Sequence, residues 1–232
     1  MKEIITPPPD WTAIFKTLEK WRKETLVDDT EDTAITTIAE EYEEGPNKPW
    51  AILVSTILSL RTKDEITRVA SRRLLSKAPG PAELLALGEE ETARLAYPAG
   101  FYRTKAANLT KSSVILLEKY GGQVPADMDA ILSLPGVGRK TANLVLTEAF
   151  DMYGICVDIH VYRICNRAGW IVTPDPEKTE MALREKLPRK YWKRINSLLV
   201  LYGQNICRPQ SPFCSRCVIS GHCQRLGVER SR

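Results

Sequence analysis

Residues 134–141 read Leu134-Pro135-Gly136-Val137-Gly138-Arg139-Lys140-Thr141, set between apolar segments of helical period at 127–133 and 139–149. Two glycines two positions apart permit a tight turn and let backbone N–H groups come close to an anion. The helix that follows adds the positive end of its dipole. The stretch predicts a helix–hairpin–helix, a form suited to gripping phosphate without reading sequence; a plain corner between helices is the competing reading. Arg139 and Lys140 fall in the first turn of the second helix, where cations oppose the macrodipole and a phosphate backbone would compensate them. A lysine among positive partners is also a better neutral-amine nucleophile, although alone it reads as a solvated surface lysine.

Outward from the hairpin the periodicity stays helical. Thr30 is placed to cap a helix running to about Glu40. Pro46 and Pro49 break the chain before an apolar run from Trp50 to Leu60, whose β-branched content leaves it between strand and helix. Thr62-Lys63-Asp64-Glu65 has capping-box spacing, with Thr62 as cap and Glu65 reaching back, ahead of a helix over 63–77. Ala106, Leu109, Ser113, Leu116, Leu117 and Tyr120 form a helical stripe that Gly121-Gly122 ends. Asp175-Pro176 reads as cap and first helical residue, and 190–206 is again amphipathic. No hairpin-linked strand pairs and no alternation of strand and helix are evident, so the fold class is all-α.

Downstream, Val157-Asp158-Ile159-His160 follows an apolar run and opens a helix. Asp158 is an N-cap by position. A carboxylate held rigid by capping amides is also fit to stabilise a cationic sugar at a transition state. Four of the six cysteines follow as Cys207-x6-Cys214-x2-Cys217-x5-Cys223. Four thiolates in one short loop can enclose a metal centre, and their softness favours an iron–sulfur cluster or zinc over hard cations. Spacing leaves those two open; a disulfide-rich tail is disfavoured in a reducing compartment. Arg208, Arg216 and Arg225 interleave with the ligands, a basic loop well placed to meet phosphate. Cys156 and Cys165 lie in apolar helical context and read as core.

The chain has 232 residues, 43% hydrophobic and 27% charged, with a formal net charge of +4. That is enough for a sizeable buried core, and the mild positive charge permits nucleic-acid binding without demonstrating it. No apolar run reaches the roughly 18 residues of a membrane span, and Met1 to Asp10 lacks signal- or transit-peptide character. A cytoplasmic protein is the expectation.

Taken together, Leu134 to Ala142, Val157 to His160 and the four-cysteine spacing resemble the endonuclease III family of helix–hairpin–helix DNA glycosylases, over about residues 30–225. The resemblance implies two helical lobes with the active-site cleft between them. One is a helical barrel with the helix–hairpin–helix at 42–152. The other joins 1–41 to 153–232 and carries the cluster, which the resemblance makes [4Fe–4S] on Cys207, Cys214, Cys217 and Cys223.

It further implies a monomeric bifunctional DNA glycosylase and abasic-site lyase acting on double-stranded DNA that holds oxidised or ring-saturated pyrimidines. Lys140 matches the nucleophile that forms a Schiff base with C1′, and Asp158 the catalytic carboxylate. Gly136 and Gly138, with Arg139, match the hairpin on the phosphate. His160 and Phe101 match positions near the gap that a flipped nucleotide leaves. Arg61 departs from the family, which commonly has glutamine there for the same gap. Adenine-removing mismatch glycosylases resemble the chain too, but they carry a glutamate near position 55, here Ser55, and no lysine at 140. A non-enzymatic DNA-binding module would need neither Lys140 nor Asp158.

Overall fold

The apolar run at Trp50 is a helix, α3 (Lys48–Ser59), and every residue from Trp50 to Leu58 is buried. Pro49 sits in its first turn, where a missing N–H leaves no bond unmade. A helix apolar on all sides must be wrapped on all sides. Here α2 (Ala34–Glu41), α4 (Asp64–Leu75), α7 (Tyr102–Tyr120) and α9 (Arg139–Phe150) pack around it. Truncating a fully buried member such as Leu53 to alanine is expected to cost about 2–5 kcal/mol.

The computed structural model describes residues 8–25, 33–43 and 45–232. Among the described residues there are twelve α-helices, three short 3₁₀ turns and no strand, in agreement with the all-α expectation. Residue Thr30, expected to cap α2, lies outside the described residues; Thr33 caps that helix, its Oγ1 accepting the Thr36 amide at 3.2 Å. Helix α7 ends where Gly121 turns left-handed, at φ 60°. Asp175 Oδ1 accepts the Lys178 amide at 2.8 Å and Pro176 opens α11 (Pro176–Lys186). Among the described residues no helix is long and apolar enough to cross a membrane.

The chain divides into two units, Thr30–Gly154 and Met1–Asp29 with Ile155–Arg232. Helix α2 belongs with the first, because Ile35, Ile38 and Ala39 join the core around α3; the division therefore precedes residue 42. The second unit has its own core, in which α1 (Trp11–Thr25), α10 (Ile159–Ala168) and α12 (Trp192–Asn205) contribute Ile14, Leu18, Val161, Ile164, Leu199 and Tyr202. Phe15 stacks on Tyr191 at 4.0 Å between ring centroids, and Trp21 meets Tyr202 edge-on at 4.8 Å.

Candidate active-site and cluster residues

Within the Thr30–Gly154 unit, α8 (Met128–Leu132) is capped by Asp127 and gives way to the hairpin. The Val137 amide donates to Leu134 O at 3.1 Å and closes the turn. Leu134 and Val137 are buried and fasten it to the core. The two glycines differ in what they must do. Gly136 has φ +78°, a conformation that calls for glycine, and a methyl group there would also force the Asn108 side-chain amide to shift. Gly138, the N-cap of α9, is extended at φ −100° and has no atom within 4 Å of where a Cβ would stand. Arg139 is half-buried and Lys140 is exposed, both on the first turn of α9 as expected.

In the same unit Arg61 and Phe101 meet. The Arg61 guanidinium lies 5.4 Å from the centroid of the Phe101 ring. Both residues are exposed and both have left-handed backbone, φ 53° and 57°, a conformation that costs a side-chain-bearing residue about 1–2 kcal/mol. Among the described residues no ion pair joins Arg61 to Asp64 or Glu65; Asp64 Oδ1 instead accepts the Ala34 amide at 3.4 Å. The expected capping box is not formed. Helix α4 starts after Lys63 with no side-chain cap. Thr62 Oγ1 accepts from Lys105 Nζ at 2.8 Å and from the Gly100 amide at 3.0 Å. An ammonium is a stronger donor than an amide at a helix end, so the long-range partner takes the hydroxyl. Lys105 is buried, and burial pulls its amine down to about 8. At neutral pH it remains charged, with one N–H each for Leu58 O, Leu60 O and Thr62 Oγ1.

In the other unit Asp158 caps α10. Its Oδ1 accepts the amides of His160 at 2.8 Å and Val161 at 2.9 Å, which leaves Oδ2 outside the cap. His160 Nδ1 lies 3.0 Å from Arg163 Nη2. A guanidinium can only donate, so Nδ1 accepts and the ring proton sits on Nε2. Arg163 also donates to Gly203 O and Cys207 O. It thereby ties the helix that Asp158 caps to the first of the clustered cysteines.

None of the six cysteines is in a disulfide, and Cys156 and Cys165 are buried. The other four lie in a loop lashed to α10. Arg167 donates to Cys207 Sγ at 3.3 Å and to the carbonyls of Arg208 and Pro209; Trp170 Nε1 donates to His222 O at 2.7 Å. The Tyr202 hydroxyl donates to Cys217 Sγ at 3.2 Å, and the Arg225 amide to Cys223 Sγ at 3.4 Å. Burial pushes the Cys217 and Cys223 thiols up, so a bound cation is what would hold these two as thiolates. Among the described residues no three His, Cys, Asp or Glu side chains converge as ligands of a single metal ion. Arg208 and Arg216 stack on the Phe213 ring at 5.2 and 5.3 Å.

Thus the first unit gathers Gly136, Gly138, Arg139 and Lys140 in one hairpin and pairs Arg61 with Phe101. The second places Asp158 and His160 on the opening of α10, linked through Arg163 to Cys207. Thr62 in its bridging role, Lys105, Asn108, Arg163, Arg167 and Tyr202 escaped the sequence reading. Each acts on a partner far away in the chain.

Residues 54–189 match the HhH-GPD superfamily of base excision DNA repair proteins. Endonuclease III of Thermotoga maritima is 46% identical over 176 residues, covering 76% of this chain and 83% of the relative. Endonuclease III of Escherichia coli is 36% identical over 178 residues, covering 77% and 84%. Among solved structures, a trapped covalent intermediate of endonuclease III with DNA, an estranged-adenine complex, aligns with a TM-score of 0.74 at 29% identity, over 93% of this chain and 96% of that one.

Proposed function

Since the chain belongs to the endonuclease III family of the HhH-GPD superfamily, and is a glycosylase and lyase of base excision repair, we propose that Lys140 is its nucleophile, Asp158 its catalytic carboxylate and oxidised or ring-saturated pyrimidines in double-stranded DNA its substrates. One observation carries the reading: an exposed lysine on the first turn of a helix that follows the Pro135–Gly138 hairpin.

A base inside a duplex is out of reach, so the damaged nucleotide flips out. Arg61 and Phe101, stacked and exposed, fill the gap and offset lost stacking. The open space at Gly138, beside the α9 N-terminus, admits a backbone phosphate. As the glycosidic bond breaks, the Asp158 carboxylate stabilises positive charge on the sugar. The Lys140 amine bonds to C1′ and the base leaves with its bonding electrons and a proton. The C1′–O4′ bond then opens, O4′ takes a proton and the C1′–nitrogen bond becomes an imine, which acidifies the C2′ proton. Loss of that proton expels the 3′ phosphate oxygen, and the strand is nicked by β-elimination. Hydrolysis of the imine returns free Lys140. That endonuclease III has been trapped as a covalent intermediate with DNA supports a covalent route. An adenine-removing reading would need an acid near position 55, which holds a fully buried serine.

Cys207, Cys214, Cys217 and Cys223 would hold a [4Fe–4S] cluster. The donors aimed at three of the sulfurs suit thiolate ligands. When bound, the cluster would supply folding energy to the 207–223 loop.

The test is reduction of the imine. Borohydride with abasic-site DNA traps a covalent complex of the wild type. Lys140→Gln abolishes trapping while the protein still binds DNA; equal trapping by the variant overturns the assignment.

A further inference from the structure

Arg61 and Phe101 are exposed, and each follows a different stretch of chain into left-handed backbone. Their mutual contact, guanidinium against ring, does not fix either backbone. The fixing is done beneath them. Lys105, in the first turn of α7, is only 4% exposed. Its ammonium donates to Leu58 O at 2.7 Å, to Leu60 O at 2.6 Å and to Thr62 Oγ1 at 2.8 Å. Two of these acceptors precede Arg61 and the third follows it. The same hydroxyl accepts the amide of Gly100, the residue before Phe101, at 3.0 Å. Gly100 is pressed so close that an added Cβ would stand 2.5 Å from Arg61 O. A second clamp comes from α4, where Arg73 Nε donates to Leu95 O at 2.7 Å and Nη2 to Tyr97 O.

Among the described residues no carboxylate pairs with Lys105; its acceptors are two carbonyls and a hydroxyl. A buried ammonium without a counter-ion is a poor way to stabilise a fold, since an apolar side chain of similar size avoids the desolvation. Three directed N–H donors do something an apolar chain does not. They hold the Leu58–Thr62 backbone in one orientation and, through Thr62, join it to Gly100. Two strained residues so over-determined mark a surface whose shape matters.

We propose that Lys105 is a positioning residue that sets the Arg61–Phe101 pair for insertion into the duplex and so gives the enzyme its preference for duplex over single-stranded DNA. This rests on the gap-filling reading of Arg61 and Phe101. Thr62 is the relay. Lys105 touches neither DNA nor the reacting sugar.

The test compares single-turnover nicking at an abasic site in a duplex and in the same strand alone. Lys140 chemistry is common to both substrates and cancels in the ratio, whereas only the duplex has a gap to fill. Lys105→Met lowers the duplex-to-single-strand ratio at least tenfold, and Thr62→Val lowers it severalfold. Thr62→Ser, which keeps the hydroxyl, restores it. Phe101→Ala lowers the ratio as well, and Lys105→Met lowers it by a smaller factor in the Phe101→Ala background than in the wild type. If Lys105→Met does not fold, the near-isosteric Thr62→Val carries the test. Equal losses on both substrates, or an unchanged ratio while Phe101→Ala lowers it, overturn the positioning role and leave the gap-filling reading in place. An unchanged ratio in Phe101→Ala overturns both.

Discussion

Asp158 Oδ1 accepts the amide of Val161 at 2.9 Å, and that of His160 at 2.8 Å, so one carboxylate oxygen is spent on the helix and the other is not. This separates the two roles that one residue is asked to fill. Asparagine presents the same acceptor to the capping amides, so Asp158→Asn leaves stability to urea within about 0.5 kcal/mol, while Asp158→Ala loses about 1 kcal/mol. The negative charge, which the proposed role at the sugar requires, is lost in both. Single-turnover excision of an oxidised pyrimidine falls by roughly 100-fold or more in the asparagine variant. Near-normal excision by that variant would leave Asp158 a cap and nothing else.

The two hairpin glycines answer differently to the same substitution. Gly136→Ala forces a side chain into φ +78° and into the Asn108 amide, a combined loss of about 1–3 kcal/mol. Pairing it with Asn108→Ala recovers the steric share and not the conformational one. Gly138→Ala meets nothing within 4 Å and keeps an extended backbone, so its melting temperature stays close to wild type. Its affinity for duplex DNA falls, because the methyl group takes the space left for a phosphate. Melting curves and duplex titrations on the three variants check both statements; Gly138→Ala with unaltered affinity removes that glycine from the interface.

What the sequence made legible was local. Asp158, Asp175 and Gly121 were readable as helix ends because each bonds or turns within a few residues of itself. The Trp50 run became a helix because tertiary burial on every side overrides β-branched preference. The Thr62 reading failed because its capping-box pattern competes with a donor 43 residues away. Lys105 looks like any polar position on an amphipathic helix until its three acceptors are seen. Arg163 and Arg167 are polar positions on α10, yet they hold carbonyls 40 to 44 residues downstream. The cysteine spacing named its four residues, and it could not show that an arginine, a tyrosine and a backbone amide aim at three of the sulfurs.

Those donors bear on the proposed cluster. Purified protein is expected to be brown, with about four irons and four sulfides per chain. Cys217→Ala loses the iron. Cys156→Ala and Cys165→Ala, at buried positions outside the loop, keep it. Tyr202→Phe deletes the hydroxyl 3.2 Å from Cys217 Sγ; it keeps the iron and lowers the cluster's reduction potential, since a hydrogen bond to sulfur favours the more negative reduced state. Stoichiometric zinc with no iron refutes the cluster, and iron loss in the Cys156 or Cys165 variant refutes the ligand choice.

By the sequence resemblance Arg61 stands where the family commonly has glutamine, and the structure gives it a stacked partner in place of an ion pair. Its guanidinium lies 5.4 Å from the Phe101 centroid and its backbone is left-handed and clamped on both sides. A side chain rooted in rigid backbone and already stacked loses less entropy on entering the duplex. Inside the gap a guanidinium can donate two hydrogen bonds to guanine, a choice glutamine makes differently. Arg61→Gln is therefore expected to change the order of excision rates with A, G, C or T opposite one fixed lesion, with guanine losing most. A phosphate contact predicts something else: uniform weakening across the four bases and a salt dependence shallower by about one ion. Single-turnover excision for wild type and Arg61→Gln, across four opposite bases and two salt concentrations, separates them. Phe101→Ala should reproduce part of the reordering, because the stack that aims Arg61 is gone. An unchanged opposite-base order in Arg61→Gln refutes the gap-reading role, whatever happens to overall affinity.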